Sequence, residues 1–449
     1  VAAPAREAAY RVLRAVSAGA LDLGEALHRA RDPLADPRDR ALATELAVGT
    51  LRWRGALDYQ LQRVSGTPLD ALDRPVLDAL RLGAYQLLYL QRVPPHAAVH
   101  DTVGLVRKAG FPRATGFVNA VLRRLSRERD HLPWPDRSNL VEHLAVVHSH
   151  PAWLVARWLR RYGEAGTEQW LHFNNTAPAL TLAANRLLTT RDALKLRLER
   201  EGVVTRPTDV APAGLVVESG QALATRAFEE GLCLVQDEAS QLVPELLLPP
   251  PGARILDLCA APGGKTIAAA AQCGPSGLVV ATDIRRRRLA VLADTLVRCR
   301  AENTRVIAIP PEGPLPFQQE VFDRVLIDAP CSGLGTLRRD PDIRWRRRPE
   351  DLVALARIQL SLLERVQSHV RPGGWIVYST CSSEPEENEH VVTRFLSRAP
   401  AFALVPLSAL DVPPAIGRLA TPEGYLRTSP LEGLEAFFAA VIRRTGPEH

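Results

Sequence analysis

From residue 253 onward, short apolar runs and helix-patterned segments take turns. "ARILDL" passes through a glycine-containing turn into "KTIAAAAQ". "GLVVATD" leads to "RRRLAVLADTLVRC", and "TRVIAI" and "DRVLIDAP" precede a helical stretch from about 350 to 369. "GWIVYST", a helix from about 385 to 397 and "EAFFAAVIRR" complete the series. Apolar runs bounded by Gly, Pro and Asp read as strands, and their alternation with helices predicts a parallel, doubly wound (Rossmann-like) α/β sheet. Ligands of such sheets sit at the carboxyl ends of the strands.

The preceding residues have another pattern. From 4 to about 128, apolar positions recur at helical spacing, as in "RALATELAVGTLRWRGALDYQLQRV" and "ATGFVNAVLRRLSRE", which predicts a helical bundle over 1–130. "HLPWPDRSN", 131–139, reads as a linker. Residues 140–240 mix the helical "PAWLVARWLRRYG" and "TEQWLHFNN" with strand-like "ALTLAAN" and "GLVVES", so a small α+β module is expected there. "LLLPPPGAR" then separates it from a third domain at 245–449.

Net charge is +6, a mild pointer to a polyanionic partner. The chain has three lysines (Lys108, Lys195 and Lys265) and no methionine, a bias that a GC-rich coding sequence produces. The six cysteines are Cys233, Cys259, Cys273, Cys299, Cys331 and Cys381, and none forms C-x-x-C. A metal site is not expected. Scattered cysteines without a signal-type apolar core point to the reducing cytosol, and no run is long enough for a membrane span.

Four motifs lie at predicted strand ends or beside them. "LDLCAAPGGKT", 256–266, ends a strand and enters a helix, and Gly263 and Gly264 let backbone N–H groups approach a ligand. Its last three positions match a P-loop, but Cys259 stands where the first glycine belongs. The alternative ligand is a nucleoside cofactor such as S-adenosylmethionine. Asp283, ending "VVATD", is spaced to bind ribose hydroxyls and favours that alternative. "VLIDAPCSGLGT" delivers Asp328 and then Cys331, and "YSTCSSEPEEN" delivers Cys381. If the two strands are neighbours, both thiols and the carboxylate converge over the cofactor loop. Ser382 or Ser383 could cap the next helix, with Glu384, Glu386 and Glu387 as charges in its first turns. The helix N-terminus would lower a nearby thiol's pKa and the acidic run would raise it. Finally, "TLRRDPDIRWRRRPED" sets six arginines around Trp345, a pattern suited to phosphate contact and base stacking or to a solvated charged face.

Two thiols, a carboxylate and a methyl donor fit one reaction. A thiolate added at carbon 6 of a pyrimidine makes carbon 5 nucleophilic towards a sulfonium methyl. Asp328 can stabilise charge at the N3/N4 edge, and the second thiol can assist release. The residues alone leave open which cysteine attacks. Two other readings remain: a P-loop NTPase, and a non-enzymatic RNA-binding factor.

"DLCAAPGGKT", "DAPCSG" with "RRDPDIRW", and "STCS" followed by "PEEN" closely resemble RNA cytosine-5 methyltransferases of the bacterial RsmB (Sun/Fmu) type, in the RsmB/NOP class. The resemblance extends over almost the whole chain. It implies a class I methyltransferase domain that uses S-adenosyl-L-methionine, a NusB-like RNA-binding domain over 1–130, and a connecting module containing "HPAWLVARWLRRYG" and "VQDEASQL". It implies a cytosine of small-subunit (16S) ribosomal RNA as substrate; cytoplasmic location and a monomer are expected alongside. It makes Cys381 the nucleophile and Cys331 the residue that aids release, whereas DNA cytosine-5 methyltransferases attack with the Pro-Cys thiol. The family's cofactor segment falls on Cys259, Ala260, Ala261, Pro262, Gly263, Gly264 and Lys265, with Asp283 at the ribose and Asp328 beside cofactor and base. Lys265 is the family's motif lysine and is expected in the catalytic group. Two positions depart from the family. Glu312 is the only acidic residue available after the third strand, and Asn185 lacks the arginine that usually precedes it.

Overall fold

The computed structural model describes residues 3–445. The chain forms two compact units, one of residues up to Thr176 together with Leu337–Arg346, the other of Ala177–Thr336 with Arg347 onward.

The first unit is helical. Proline opens the helices Pro4–Ser17, Pro37–Arg52 and Pro95–Lys108, where its missing N–H costs nothing. Asp22 caps Leu23–Arg31 by accepting from the Glu25 N–H. Their apolar stripes meet in one core that includes Leu46, Leu57, Leu80 and Leu122. The helices Leu140–Val147 and Ala152–Asn175 also belong to this unit. The sequence places them at the start of the small α+β module. Within Ala152–Asn175, Trp158 and Trp170 stand 5.3 Å apart, and Tyr162 stacks on Trp170 at 4.6 Å. "PAWLVARWLRRYG" and "TEQWLHFNN" join in one kinked helix, with Gly163 at φ 67° supplying the kink.

Leu337–Arg346 packs in this unit too, and it revises the reading of the arginine-rich run. Arg344 is fully buried and donates to the carbonyls of Ser149 at 3.0 Å, Asn174 and Leu337 at 3.3 Å, and to Asn175 Oδ1 at 2.9 Å. The Trp345 indole N–H donates to Leu51 O at 2.7 Å, and Arg54 lies over its ring. These two side chains hold the segment in place. Arg346 and Arg348 are the exposed cations of the run.

In the second unit a small antiparallel sheet comes first, with β1 Thr181–Ala184, β2 Val204–Pro207, β3 Gly214–Ser219 and β4 Cys233–Val235 in the order β2-β3-β1-β4. The large sheet follows. Its strands are β5 Arg254–Asp257, β6 Leu278–Asp283, β7 Thr304–Ala308, β8 Phe322–Asp328, β9 Val370–Thr380, β10 Phe402–Val405, β11 Leu426–Arg427 and β12 Phe438–Arg444. The order is β10-β12-β9-β8-β5-β6-β7, with β11 beside β12. β5 to β9 are parallel, as the alternation predicts. β12 runs antiparallel to both β9 and β10. Between β10 and β12 the only α-helix is the short Pro414–Gly417, so no long crossover brings the chain back in the parallel sense.

β8 and β9 are adjacent, with Asp328 opposite Ser379. The reversal of strand order lies between β5 and β8, where doubly wound sheets bind their ligands. Asp257, Asp283, Asp328 and Thr380 all end their strands on that edge.

Candidate active site

A cavity of about 440 Å³ opens beside β5, within the range of small-molecule sites. Asp257, Cys259, Ala260, Ala261, Pro262, Gly264, Lys265 and Asp328 line it, joined by Gln236, Asp237 and Ser240 after β4, by Thr336 and by Phe437. The turn works because Gly263 takes φ 113°, where its position leaves only 2.9 Å between an added Cβ and Leu292 Cδ1. That turn starts the helix Gly264–Cys273 at the cavity wall.

Asp257 is fully buried beneath this turn. It accepts from Thr266 Oγ1 at 2.7 Å, while its Oδ1 has no hydrogen-bond partner. Burial pushes its carboxyl up to about 7, against the pull of the Thr266 hydroxyl. An unfolded Asp titrates near ~3.9. The native state therefore prefers the protonated form, and the stability gained from it is complete below about pH 4 and lost as pH rises through about 7. Urea midpoints across this range are expected to show wild type losing stability relative to Asp257→Asn, by about 4 kcal/mol as a ceiling at about 1.4 kcal/mol per unit.

Lys265 reaches from the helix start into the cavity. Its Nζ donates to Ser240 Oγ at 2.8 Å and pairs with Asp328 Oδ2 at 2.7 Å, and it lies over the Phe437 ring. Asp328 Oδ1 accepts from Ser379 Oγ at 3.0 Å. Each Asp328 oxygen thus has a partner, one at the start of the helix Gly264–Cys273 and one on the strand leading to Cys381.

The two thiols meet. Cys331 Sγ and Cys381 Sγ are 3.2 Å apart, although fifty residues separate them. Gly335 holds their loops together, its N–H donating to Cys381 O at 2.9 Å and its carbonyl accepting from Ala436 N at 3.0 Å. A Cβ there would stand 2.0 Å from Ala436 O, so no side chain fits. Arg347 braces the same loop through the Ser332 carbonyl at 2.8 Å. The neighbouring Cys381 sulfur and burial both push the Cys331 thiol well up, keeping its proton on.

Asp283 and Gly263 are not among the residues lining the cavity. Asp283 ends β6 as expected but is nearly buried. Its Oδ1 accepts from Arg285 N at 3.0 Å, and its Oδ2 lies 3.4 Å from Arg288 with no hydrogen bond. Glu312 is exposed and also outside the lining. Asn185 is buried and committed to backbone, donating to Gly231 O and Cys299 O at 2.9 Å.

The capping expectation also changes. The helix Glu389–Arg398 has no side-chain cap, and Ser382 bonds instead to Glu387. Glu387 and Glu384 are buried rather than solvated. No helical spacing marks them: Glu387 ends a 3-10 turn and Asn388 is non-helical, at φ −110° and ψ −104°, so neither shares a helix face with Val391 and Val392.

Among the described residues no group of three or more His, Cys, Asp or Glu could hold a metal ion, and no helix is long and apolar enough to cross a membrane.

Residues 244–443 match the family model of the 16S rRNA methyltransferase RsmB/F. Residues 3–127 match the NusB family, and 150–224 match the ferredoxin-like domain of RsmF/B-like methyltransferases. Ribosomal RNA small subunit methyltransferase B of Salmonella enteritidis is 36% identical, the match covering 96% of this chain and 99% of that protein. The probable ribosomal RNA small subunit methyltransferase B of Bacillus subtilis is 34% identical over 91% of both. Among solved structures, PH0851 is 26% identical with a TM-score of 0.83 over 99% of both chains. A methyltransferase homolog from Pyrococcus horikoshii, also 26% identical, gives 0.57 over 68% of this chain and 99% of that one. With NusB-family helices, a ferredoxin-like segment and the thiol-bearing sheet all matched in one chain, the protein belongs to the 16S rRNA methyltransferase RsmB/F family.

Proposed function

We propose that this protein methylates carbon 5 of a cytosine in small-subunit ribosomal RNA through a temporary bond between Cys381 and the base. The observation that carries this reading is the 3.2 Å separation of two thiols at the ends of β8 and β9, linked to the cavity through Asp328 and Ser379.

The cavity residues fit S-adenosyl-L-methionine. Cys259, Ala260, Ala261, Pro262 and Gly264 line one wall, Asp257 offers a buried oxygen without a partner, and Phe437 and Pro262 supply apolar surface. Asp283 ends β6 beside β5 but does not line the cavity, and meeting a ribose hydroxyl requires its Oδ2 to part from Arg288, 3.4 Å away. When bound, this cofactor supplies an electrophilic methyl group.

The chain's own groups do the rest. Cys381 gives its thiol proton to water, its Sγ adds to carbon 6 of the cytosine, and the electrons of the 5,6 double bond move towards N3. Asp328 holds the N3/N4 edge by hydrogen bonding as charge changes there, and Lys265 keeps that carboxylate oriented. Carbon 5, now enamine-like, takes the methyl group. Loss of the carbon 5 proton to a water molecule then restores the 5,6 double bond and expels the Cys381 sulfur as a thiolate. Cys331, which keeps its proton, stands in contact to receive the emerging thiolate as a hydrogen-bond donor. The base must leave its stack to reach Cys381, which favours a loop or single-stranded cytosine.

Transfer of a tritiated methyl group to 16S ribosomal RNA, followed by digestion to nucleosides, tests this. Label is expected in 5-methylcytidine. Label in a ribose-methylated or N4-methylated nucleoside would sink the carbon 5 assignment while leaving a methyltransferase.

A further inference from the structure

Glu387 is completely buried, and its two oxygens divide their work. Oε1 accepts from the Ser332 backbone N–H at 2.8 Å and from Gln359 Nε2 at 3.0 Å. Oε2 accepts from Ser332 Oγ and Ser382 Oγ, both at 2.5 Å. Ser332 directly follows Cys331, and Ser382 directly follows Cys381. The two hydroxyls are themselves 3.1 Å apart. Glu387 is anchored in turn, since its carbonyl accepts the Tyr378 hydroxyl at 2.5 Å on β9. One carboxylate therefore ties both cysteine loops together directly behind the reacting sulfurs.

We propose that Glu387 is a positioning residue that fixes the distance between the Cys331 and Cys381 sulfurs, and so the partition between release and a trapped RNA adduct. This rests on the roles proposed above for the two cysteines. A carboxylate suits the task because it presents four lone-pair sites to four donors from three segments. Its burial excludes competing water. A loop shift of about 1 Å is enough to cost about 10²-fold in rate.

The two sulfurs can report their own spacing. Diamide, an azo oxidant, takes the two thiol hydrogens and becomes the hydrazine as Cys331 and Cys381 form a disulfide. The rate is followed on the full-length protein by mass spectrometry of the joined peptides. Glu387→Ala is expected to bind the methyl donor within about threefold of wild type, yet to form this disulfide at least about tenfold more slowly, a geometric loss. With RNA, its kcat should fall about 10²-fold with KM within about threefold, and covalent adduct should accumulate. Glu387→Gln keeps one carbonyl oxygen for the two N–H donors and turns an amide towards the two rotatable hydroxyls, so it should recover the disulfide rate to within about threefold.

Should Glu387→Ala not fold, Ser332→Ala combined with Ser382→Ala removes both hydroxyl links and should slow the disulfide in the same way. An unchanged disulfide rate in a folded variant overturns the proposal, as does a parallel loss of donor binding and disulfide formation in both variants. A slowed disulfide in variants, with wild type forming no RNA adduct under any condition, would keep the positioning role and sink the cysteine roles instead.

Discussion

Cys381→Ala is expected to lose methyl transfer by at least about 10⁴-fold, the scale of removing a covalent nucleophile. Carbon 5 of cytosine is too weak a nucleophile to attack unaided, so the residual groups have nothing to orient. The change should spare the cofactor site, because Cys381 does not line the cavity. Its backbone carbonyl, which accepts from Gly335, is untouched by the substitution. Donor affinity is therefore expected within about threefold of wild type, measured by calorimetry, alongside the rate measured with tritiated donor. Substantial turnover by Cys381→Ala, or loss of donor binding in step with rate, would remove the covalent mechanism.

Cys331→Ala should behave differently, and the contrast is the sharper test. With Cys381 intact, attack and methylation can proceed, but the departing sulfur loses the thiol 3.2 Å away that would receive it. Covalent RNA–protein adduct should build up and appear as a retarded band on a denaturing gel, with turnover reduced about 10²- to 10⁴-fold, the usual range for a lost proton donor. Cys331→Ala with Cys381→Ala should give no band. If Cys331→Ala forms no adduct and Cys381→Ala does, the two assignments exchange places.

Several features of this site are readable along the chain because they follow from local chemistry. Strand-ending aspartates, a glycine turn into a helix, and cysteines at the exits of "DRVLIDAP" and "GWIVYST" are all visible as strings. The parallel order of β5 to β9 follows from the helices between them. Less readable is which polar residues turn inward. Glu387 sits in an acidic run like many solvated helix starts, and only a network drawn from Ser332, Gln359 and Ser382 shows why burying it is tolerable. Arg344 is similar. Its run resembles a phosphate-binding face, yet carbonyls remote in sequence accept its N–H groups inside the first unit.

What the sequence by itself determined is the class of fold, the family and the chemical types gathered at the strand ends, since periodicity and turn residues act over a few neighbours. What only the tertiary structure decided is distance. Cys331 and Cys381 become neighbours because β8 and β9 pair in one register, Asp328 opposite Ser379. Glu387 becomes a clip, and Arg344 a buried anchor, because packing surrounds each with donors or acceptors from elsewhere in the chain. Such pairings are fixed by the simultaneous burial of many side chains, a property of the folded whole that no short stretch contains.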